Sequence, residues 1–214
     1  MSIKAFFFDL DGTLYDTDCG LLDAVNQRID QWSLLNIRMQ EDEVGSFRER
    51  MFRKYGGTLI GLTLEYGLDY YAALRFCHDL PVEKYVRPNP VLREILGQLQ
   101  GRKYIFTTSY RFYAAQVLKN LNILDCFDGI IDAIDVFPYP KPFPQAFQTA
   151  LRITAETDAG QCAFFDDQPG NAAAGHQAGF FSVQVGTHHQ PDPLSDAHIG
   201  RIEELLTIAE ITRK

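Results

Sequence analysis

The chain has 214 residues, of which 46% are hydrophobic and 22% are charged, and its formal net charge is −8. These proportions are ordinary for a folded globular protein, and the length suits one domain or a core with a smaller companion. An acidic chain repels a phosphate backbone unless basic residues are concentrated on one face. The densest basic group, residues 48–54, has acidic residues within it and just before it, so we expect no nucleic-acid partner.

The four cysteines, Cys19, Cys77, Cys126 and Cys162, are far apart and form no pair of the kind that binds zinc or builds a disulfide framework. The apolar stretch before Asp9 is too short for a secretory signal, and no run approaches the length of a membrane span. We therefore expect a cytoplasmic protein with reduced thiols and no membrane partner. The sequence does not indicate an oligomeric state.

The first predicted element is a buried strand over residues 3–8, a nearly continuous apolar run that ends at Asp9. Helical spacing of apolar residues follows over residues 21–35, 44–55 and 70–80, with glycines between these segments and no alternation typical of a strand. The pattern predicts an all-helical insertion directly after the first strand.

From residue 88 onward, predicted strands and helices alternate. The strands cover residues 103–106, 129–134, 162–165 and 180–185, and the helices cover residues 91–99, 114–121, 143–151 and 170–178. A polar loop over residues 188–196 precedes a last amphipathic helix over residues 201–211. Strands that alternate with helices predict a parallel sheet covered by helices, with ligands beyond the carboxyl ends of the strands. The predicted fold is therefore an α/β core of residues 1–15 and 88–214, with a helical insertion over residues 16–87.

Polar side chains follow three of the predicted strands. They are Asp9 and Asp11 after the first, Thr107, Thr108 and Ser109 after the second, and Asp166 and Asp167 after the fourth. The carboxyl ends of parallel strands share one edge, so the carboxylates would gather there and repel one another unless a cation lies among them. Oxygen ligands of this kind favour Mg²⁺.

Two further features favour a bound phosphate. Lys141 lies between two prolines that restrict its backbone, and its ammonium group would balance the carboxylates and an incoming phosphate. Gly12 allows a tight turn in which the N–H groups of Leu10 and Asp11 would contact phosphate oxygens.

These residues resemble the motifs of the haloacid dehalogenase-like hydrolase superfamily. Residues 8–14 (FDLDGTL) resemble its first motif, Thr107 its second, Lys141 its third and residues 166–171 (DDQPGN) its fourth, in the family's order. The resemblance implies a Rossmann-like core with a helical cap domain inserted after the first strand.

The resemblance also implies roles for individual residues. Asp9 would attack phosphorus and form an aspartyl-phosphate, and Asp11 would be the general acid and then the general base. Thr107 and Lys141 would hold the phosphoryl group, with Thr108 beside them. Asp9, the backbone carbonyl of Asp11, and Asp167 would bind Mg²⁺, with Asp166 close by or also a ligand. An acid at the position of Asp11 favours phosphate esters over carbon–halogen bonds, because a leaving alkoxide needs a proton and a halide does not.

A finer resemblance concerns the insertion. Residues 53–56 (RKYG), 58–62 (TLIGL) and 76–85 (FCHDLPVEKY) resemble the cap of pyrimidine 5′-nucleotidases, although Thr108 stands where that group usually has Asn and Gln168 where Ser is common. Arg53 and Tyr55 are candidate substrate-specificity residues, or part of an ordinary solvated helix end. His78 is interpreted as a packed or capping histidine.

The leading hypothesis is a Mg²⁺-dependent phosphatase for small phosphate monoesters, most specifically pyrimidine nucleoside 5′-monophosphates. One alternative keeps the chemistry but changes the substrate, giving a phosphoglycolate or sugar-phosphate phosphatase or a phosphomutase. Another is a non-catalytic phosphate-binding protein on the same fold. The intact set of Asp9, Asp11, Thr107, Lys141 and Asp167 argues against this last alternative.

Overall fold

The centre of the structure is a parallel sheet of six strands in the order β3-β2-β1-β4-β5-β6. The computed structural model describes residues 3–212. The strands are β1 Ala5–Phe8, β2 Arg102–Phe106, β3 Gly129–Ile131, β4 Cys162–Asp166, β5 Phe181–Val185 and β6 Ala197–Ile199. This strand order is that of Rossmann-like folds, in which the chain reverses its direction of winding beside β1. The predicted α/β class and parallel sheet are confirmed.

Both faces of β1 are covered. Phe6 and Phe8 belong to one hydrophobic cluster, whereas Ala5 and Phe7 belong to another on the opposite face. Side chains alternate between the faces of a strand, so a strand buried on both sides has a continuous apolar sequence rather than an alternating one. Each buried phenylalanine contributes about 1.5–3 kcal/mol relative to an exposed one. β1 is therefore firmly anchored in the core up to the residue before Asp9.

Helices cover the two faces of the sheet. The nine helices are α1 Leu21–Asn36, α2 Val44–Tyr55, α3 Thr58–Tyr66, α4 Tyr70–His78, α5 Pro90–Gln98, α6 Arg111–Leu121, α7 Pro144–Thr154, α8 Pro169–Gln177 and α9 Ala209–Thr212, counted over residues 3–212. Helices α5 and α6 contribute to the cluster on the Phe8 face, and α7 packs on the Phe7 face. The result is a sheet with helices on both sides.

Helices α1 to α4 lie between β1 and β2 in the chain and share a third hydrophobic cluster. Helix α3 was not predicted, because its first turns are buried on all sides and show no periodic polar face. A side chain at Gly61 of α3 would lie 2.4 Å from the sulfur of Met51, so glycine permits the close packing of α3 on α2. The helical character of the insertion agrees with the sequence analysis, and its status as a separate domain stays a prediction.

Three other details differ from the predictions. Strand β3 stops at Ile131 rather than residue 134, because the Asp132 carboxylate accepts hydrogen bonds from the backbone of Ile134 and Asp135 and turns the chain. Strand β6 was missed. The predicted helix over residues 201–211 is instead a 3₁₀ segment, Ile202–Thr207, followed by the short α9.

The spacing of the buried residues explains why this segment is a 3₁₀ helix and not an α-helix. Four apolar side chains are buried at a spacing of three residues, namely Ile202, Leu205, Ile208 and Ile211. A 3₁₀-helix has three residues per turn, so this spacing keeps the four side chains on one face. The predicted loop over residues 188–196 contains neither helix nor strand, as expected.

None of the helices described between residues 3 and 212 combines the length and the hydropathy of a transmembrane span. All four cysteines are free thiols, and Cys77 and Cys162 are buried.

Candidate active site

The carboxyl ends of β1, β2 and β4 bring the predicted acidic residues together. Phe8, the last residue of β1, is paired with Ile105 on one side and Phe165 on the other, so the residues that follow lie side by side. The N–H of Asp9 donates to the carbonyl of Phe165 over 2.8 Å. Carboxylate oxygens of Asp9, Asp166 and Asp167 all lie within 4.8 Å of one another. Three of the four carboxylates that the sequence analysis places at this edge therefore form one cluster, and the fourth, that of Asp11, is not part of it.

Lys141 reaches the cluster from the loop between β3 and α7. Its Nζ lies 2.8 Å from Oδ1 of Asp9 and 2.5 Å from Oδ2 of Asp166, and the side chain is only 1% exposed. Burial alone would lower the pKa of Lys141, but the carboxylates of Asp166 and Asp9 outweigh it and raise the pKa above its ordinary value. The two carboxylates therefore favour the charged form of Lys141 inside the cluster.

Asp166 is held by several donors besides Lys141. Its Oδ1 accepts from the backbone N–H of Gln168 at 2.9 Å and from Nδ2 of Asn171 at 3.0 Å. The residue is completely buried. With both oxygens hydrogen-bonded, Asp166 fixes the position of Lys141 and of the turn into α8.

Asp9 and Asp167 carry the unbalanced negative charge of the cluster. Burial, followed by the charges of Asp166 and Asp167, raises the pKa of Asp9 well above its ordinary value, although Lys141 opposes this. Burial and the neighbouring Asp166 raise the pKa of Asp167 to about 7. Carboxylates crowded in this way repel one another, and a divalent cation that prefers oxygen ligands would relieve that repulsion. The donor set therefore fits Mg²⁺.

Gly12 lies against this site. Its φ is +88°, and a Cβ there would lie 2.9 Å from Cγ of Asp167. Any other residue would combine backbone strain with a collision against the carboxylate. The glycine of the first motif is thus required by the close approach of the β1 turn to Asp167.

Asp11 lies outside the carboxylate cluster and is surrounded by hydroxyl groups. Its Oδ2 accepts from Oγ of Ser109 at 2.6 Å, and its Oδ1 accepts from the hydroxyl of Tyr113 at 2.8 Å and from that of Tyr15. Burial, followed by the charge of Asp11, raises the pKa of both tyrosines, so both remain protonated donors. The carboxylate is held in one orientation by three neutral groups.

The sequence analysis did not assign a role to Tyr15 or Tyr113. Tyr113 is completely buried within α6, and its hydroxyl is the polar end of an otherwise packed side chain. A tyrosine on the buried face of a helix commonly places its hydroxyl against a partner, but the sequence does not identify that partner. Ser109 was noted as a strand-end hydroxyl, and the structure shows what it binds.

The remaining predicted phosphate ligands lie at the same edge. Thr107 is buried directly after β2, and its Oγ1 accepts from the N–H of Ser109 at 3.0 Å. Thr108 lines the cavity described below. Leu10 and Asp11 form the turn after β1, in which the Leu10 carbonyl accepts from Leu14 at 3.0 Å. Their roles in phosphate binding stay predictions.

A cavity of about 330 Å³ lies between the strand ends and the inserted helices. The strand-end side chains in its wall are Asp9, Asp11, Thr108, Ser109, Lys141, Asp166 and Asp167. The opposite wall comes from the insertion and includes Leu22, Val25, Asn26, Ile29, Arg48, Phe52, Leu59, Ile60, Tyr70, Leu74 and His78. A wider groove of about 660 Å³, lined by residues 12–17 and 85–90 among others, has none of the cluster's acidic residues or Lys141 in its wall.

The structure does not bring Arg53 and Tyr55 into this cavity. Arg53 is 76% exposed at its side chain and pairs with Glu49 over 2.5 Å. It follows Phe52, which does line the cavity, and successive residues point about 100° apart around a helix. The Tyr55 hydroxyl donates to Glu65 at 3.0 Å. The α2 residue with a charged side chain in the cavity wall is Arg48, which the sequence analysis did not select as a site residue.

A comparison with protein-family models shows which family the chain belongs to. The model of the haloacid dehalogenase-like hydrolases matches residues 3–179. The chain belongs to this family. The matched range contains Asp9, Lys141 and Asp167, so the superfamily predicted from the four motifs is confirmed.

Two curated relatives of this hydrolase are named for phosphate metabolism. Phosphate metabolism protein 8 of Saccharomyces cerevisiae is 29% identical over 194 residues, which cover 84% of this chain and 60% of the yeast protein. Validoxylamine A 7′-phosphate phosphatase of Streptomyces hygroscopicus subsp. limoneus is 26% identical over 204 residues, which cover 92% of each chain. The chain thus spans 60% of the length of the yeast relative and 92% of the length of the Streptomyces relative.

A solved structure shows the same fold. The HAD-hydrolase YfnB from Bacillus subtilis, a structure bound to magnesium, superposes with a TM-score of 0.63 and 18% identity over 99% of this chain and 100% of that one. At this level of identity the likeness concerns the fold alone.

Proposed function

We propose that this hydrolase is a Mg²⁺-dependent phosphatase that cleaves small phosphate monoesters through an aspartyl-phosphate on Asp9. The observation that carries the proposal is the contact of Lys141 with both Asp9 and Asp166, beside Asp167 and at the base of a cavity. One buried cation among three carboxylates leaves a net negative site, which a divalent ion would balance before a phosphate enters.

The residues suited to hold Mg²⁺ are Asp9, Asp167 and the backbone carbonyl of Asp11. Asp166 serves as an anchor for Lys141 and Asn171, because both of its oxygens already accept hydrogen bonds. A bound Mg²⁺ would neutralise charge on the phosphoryl oxygens and keep the neighbouring carboxylates ionised.

The chain's own residues then account for two chemical steps. An oxygen of Asp9 attacks phosphorus, the ester P–O bond breaks, and Asp11, which enters the step in its protonated form, gives its proton to the departing oxygen. Asp11 next removes a proton from a water molecule that attacks the acyl phosphate, which releases phosphate and restores Asp9. Lys141 offsets the charge of the transferring group, and phosphoryl transfer depends mainly on such positioning and neutralisation.

We also propose that residues 16–87 form a cap over a core of residues 1–15 and 88–214. Helices α1 to α4 supply the wall of the cavity that faces the strand ends. A lid of this kind admits the substrate and then excludes water from the reacting groups.

Within this activity, we propose pyrimidine nucleoside 5′-monophosphates as the preferred substrates. The resemblance of the insertion to pyrimidine 5′-nucleotidases supports this choice, and the cavity is in the size range of small-molecule sites. The name of the Streptomyces relative favours a second candidate, a phosphatase for another phosphorylated small molecule. Phosphate release from UMP and CMP, compared with phosphoglycolate and sugar phosphates with and without Mg²⁺, separates the two candidates. Equal rates across the panel would overturn the nucleotide preference, and a requirement for a bisphosphate activator would indicate a mutase.

The catalytic assignment is tested by Asp9→Asn. We expect the turnover number to fall by about 10⁴-fold or more, because the amide is a poor nucleophile and Lys141 loses an ionic partner. Steady-state phosphate release measures this, with Asp42→Asn in the exposed 3₁₀ segment Glu41–Glu43 as the matched control. Retained turnover in a preparation free of other phosphatases would refute the role of Asp9.

A further inference from the structure

His78 is the last residue of α4 and lies in the cavity wall with only 8% of its surface exposed. Its Nδ1 lies 2.8 Å from the carbonyl oxygen of Leu74. A carbonyl accepts hydrogen bonds and never donates them, so Nδ1 carries the hydrogen. The orientation and tautomer of the imidazole are therefore set by the backbone of its own helix.

The other ring nitrogen has no such partner. Among the hydrogen bonds of residues 3–212, the one that the His78 side chain makes is to the Leu74 carbonyl, and it uses Nδ1 rather than Nε2. Burial lowers the pKa of His78, and the Leu74 hydrogen bond and the charge of Asp11 offset this only in part. A neutral imidazole with hydrogen on Nδ1 presents Nε2 as an acceptor. His78 thus contributes one unpaired acceptor to the cavity wall.

The His78 ring lies on the side of the cavity where the leaving group of a substrate would be. The His78 ring is 4.8 Å from the ring of Tyr113, whose hydroxyl donates to Asp11 at 2.8 Å. Asp11 is the residue assigned to the departing oxygen, so the imidazole lies on that side of the cavity. Its neighbours in the wall from the insertion are largely apolar, including Val25 and Leu74.

We propose that His78 is a specificity-determining residue whose Nε2 accepts a hydrogen bond from a hydroxyl of the leaving group close to the ester oxygen. The inference rests on the proposed phosphatase function and specifies its substrate class, namely phosphate esters of polyols, among them the ribose of a nucleotide. A leaving group without this hydroxyl would bury Nε2 unsatisfied, and unpaired polar groups in a binding site discriminate strongly between substrates.

Two substitutions of His78 distinguish the role of Nδ1 from that of Nε2. In His78→Asn, the amide nitrogen replaces Nδ1 and can still donate to the Leu74 carbonyl, but the acceptor at Nε2 is lost. In His78→Gln, the longer side chain can place its amide oxygen near the position of Nε2. His189→Asn, in an exposed loop, is the matched control. Circular dichroism confirms that each variant is folded. If His78→Asn does not fold, His78→Leu, which also lacks the acceptor, takes its place.

The experiment measures kcat and KM on two substrate pairs that differ in hydroxyl groups, UMP with 2′,3′-dideoxy-UMP and glycerol 1-phosphate with propyl phosphate. For the hydroxylated member of a pair, we expect His78→Asn to lower kcat/KM by about tenfold, mainly through KM, the cost of one lost hydrogen bond. For the member without hydroxyls, we expect less than about a twofold change. His78→Gln should recover part of the preference.

Equal losses on both members of each pair, or an unchanged preference in both variants, would overturn the role of His78 and leave the phosphatase proposal intact. Failure of the unsubstituted protein to release phosphate from any monoester with Mg²⁺ would overturn both.

Discussion

At the scale of single residues, the contacts of Lys141 offset the free-energy cost of burying its charge. Its ammonium group contacts Asp9 and Asp166 directly, and it lies 5.0 Å from the ring centre of Phe106 and 5.2 Å from that of Phe164. Aromatic faces add a weak attraction to a cation without supplying a competing hydrogen bond. The lysine therefore stays charged in a site from which water is largely excluded.

Lys141→Met tests this balance. Removing the ammonium group leaves Asp9 and Asp166 buried without their ionic partner, so we expect the free energy of unfolding to fall by about 3–5 kcal/mol. Urea denaturation of the metal-free protein measures the change, and Lys119→Met on the exposed side of α6 is the matched control. Equal stability of the two variants would show that the carboxylates are not held by Lys141.

Tyr113→Phe tests the orientation of Asp11. The substitution removes one of the three hydroxyl donors and leaves the aromatic packing in place, so the carboxylate gains freedom to rotate. We expect kcat to fall by about tenfold with little change in KM, since a misplaced general acid affects the transition state more than substrate binding. Steady-state kinetics measure this split. The control is Tyr66→Phe on the exposed side of α3, and a change confined to KM would contradict the assignment.

At the scale of elements, α8 depends on how closely it approaches the sheet. A Cβ at Gly175 would lie 2.5 Å from Cδ1 of Phe164 in β4, whereas nothing lies within 4 Å of a Cβ at Gly170 in the same helix. Packing against Phe164 therefore requires a glycine at position 175 but not at position 170.

We expect Gly175→Ala to destabilise the protein by about 1–3 kcal/mol, because the helix or the Phe164 ring must move. Gly170→Ala, the control, should be neutral or stabilising by up to about 1 kcal/mol, as alanine is the better helix former. Thermal melting measures both, and a stable Gly175→Ala variant would mean that α8 can shift away from β4 without cost.

Much of this architecture follows from local patterns. The apolar run before Asp9 predicts β1 because a strand buried on both faces needs no polar alternation. The order of the motifs predicts Lys141 and Asp167 at the same sheet edge as Asp9, and their side chains lie there. Helix α3 was missed because its first five residues are all buried, which erases the periodic pattern there. The 3₁₀ segment was taken for an α-helix because a spacing of three lies close to 3.6. Tyr113 was missed as a partner of Asp11 because the two residues are 102 positions apart in the chain.

At the scale of the whole molecule, the cluster couples stability to pH. The raised pKa values of Asp9 and Asp167, the latter about 7, mean that the metal-free folded state holds more protons than the unfolded state at mildly acidic pH. Stability therefore falls as pH rises from about 4 through 7, since the folded state must then ionise crowded carboxylates. A divalent ion that binds the ionised forms opposes this trend.

We expect the melting temperature in the presence of a chelator to be lower at pH 8 than at pH 5, and Mg²⁺ to raise it more at pH 8 than at pH 5. Asp167→Asn should flatten the pH dependence and reduce the effect of Mg²⁺, with Asp42→Asn as the control. Differential scanning calorimetry measures these temperatures, and an equal response to Mg²⁺ at both pH values would argue against a metal site at Asp167.

Because β1 lies between β2 and β4, the cavity at its carboxyl end can form only after distant parts of the chain have folded. Asp9 comes early in the chain, but Phe165, whose carbonyl accepts from its N–H, comes more than 150 residues later. A partly folded or interrupted chain therefore lacks the pocket entirely, even when its first strand is in place. Recovery of turnover during refolding would therefore report that the complete native fold has formed.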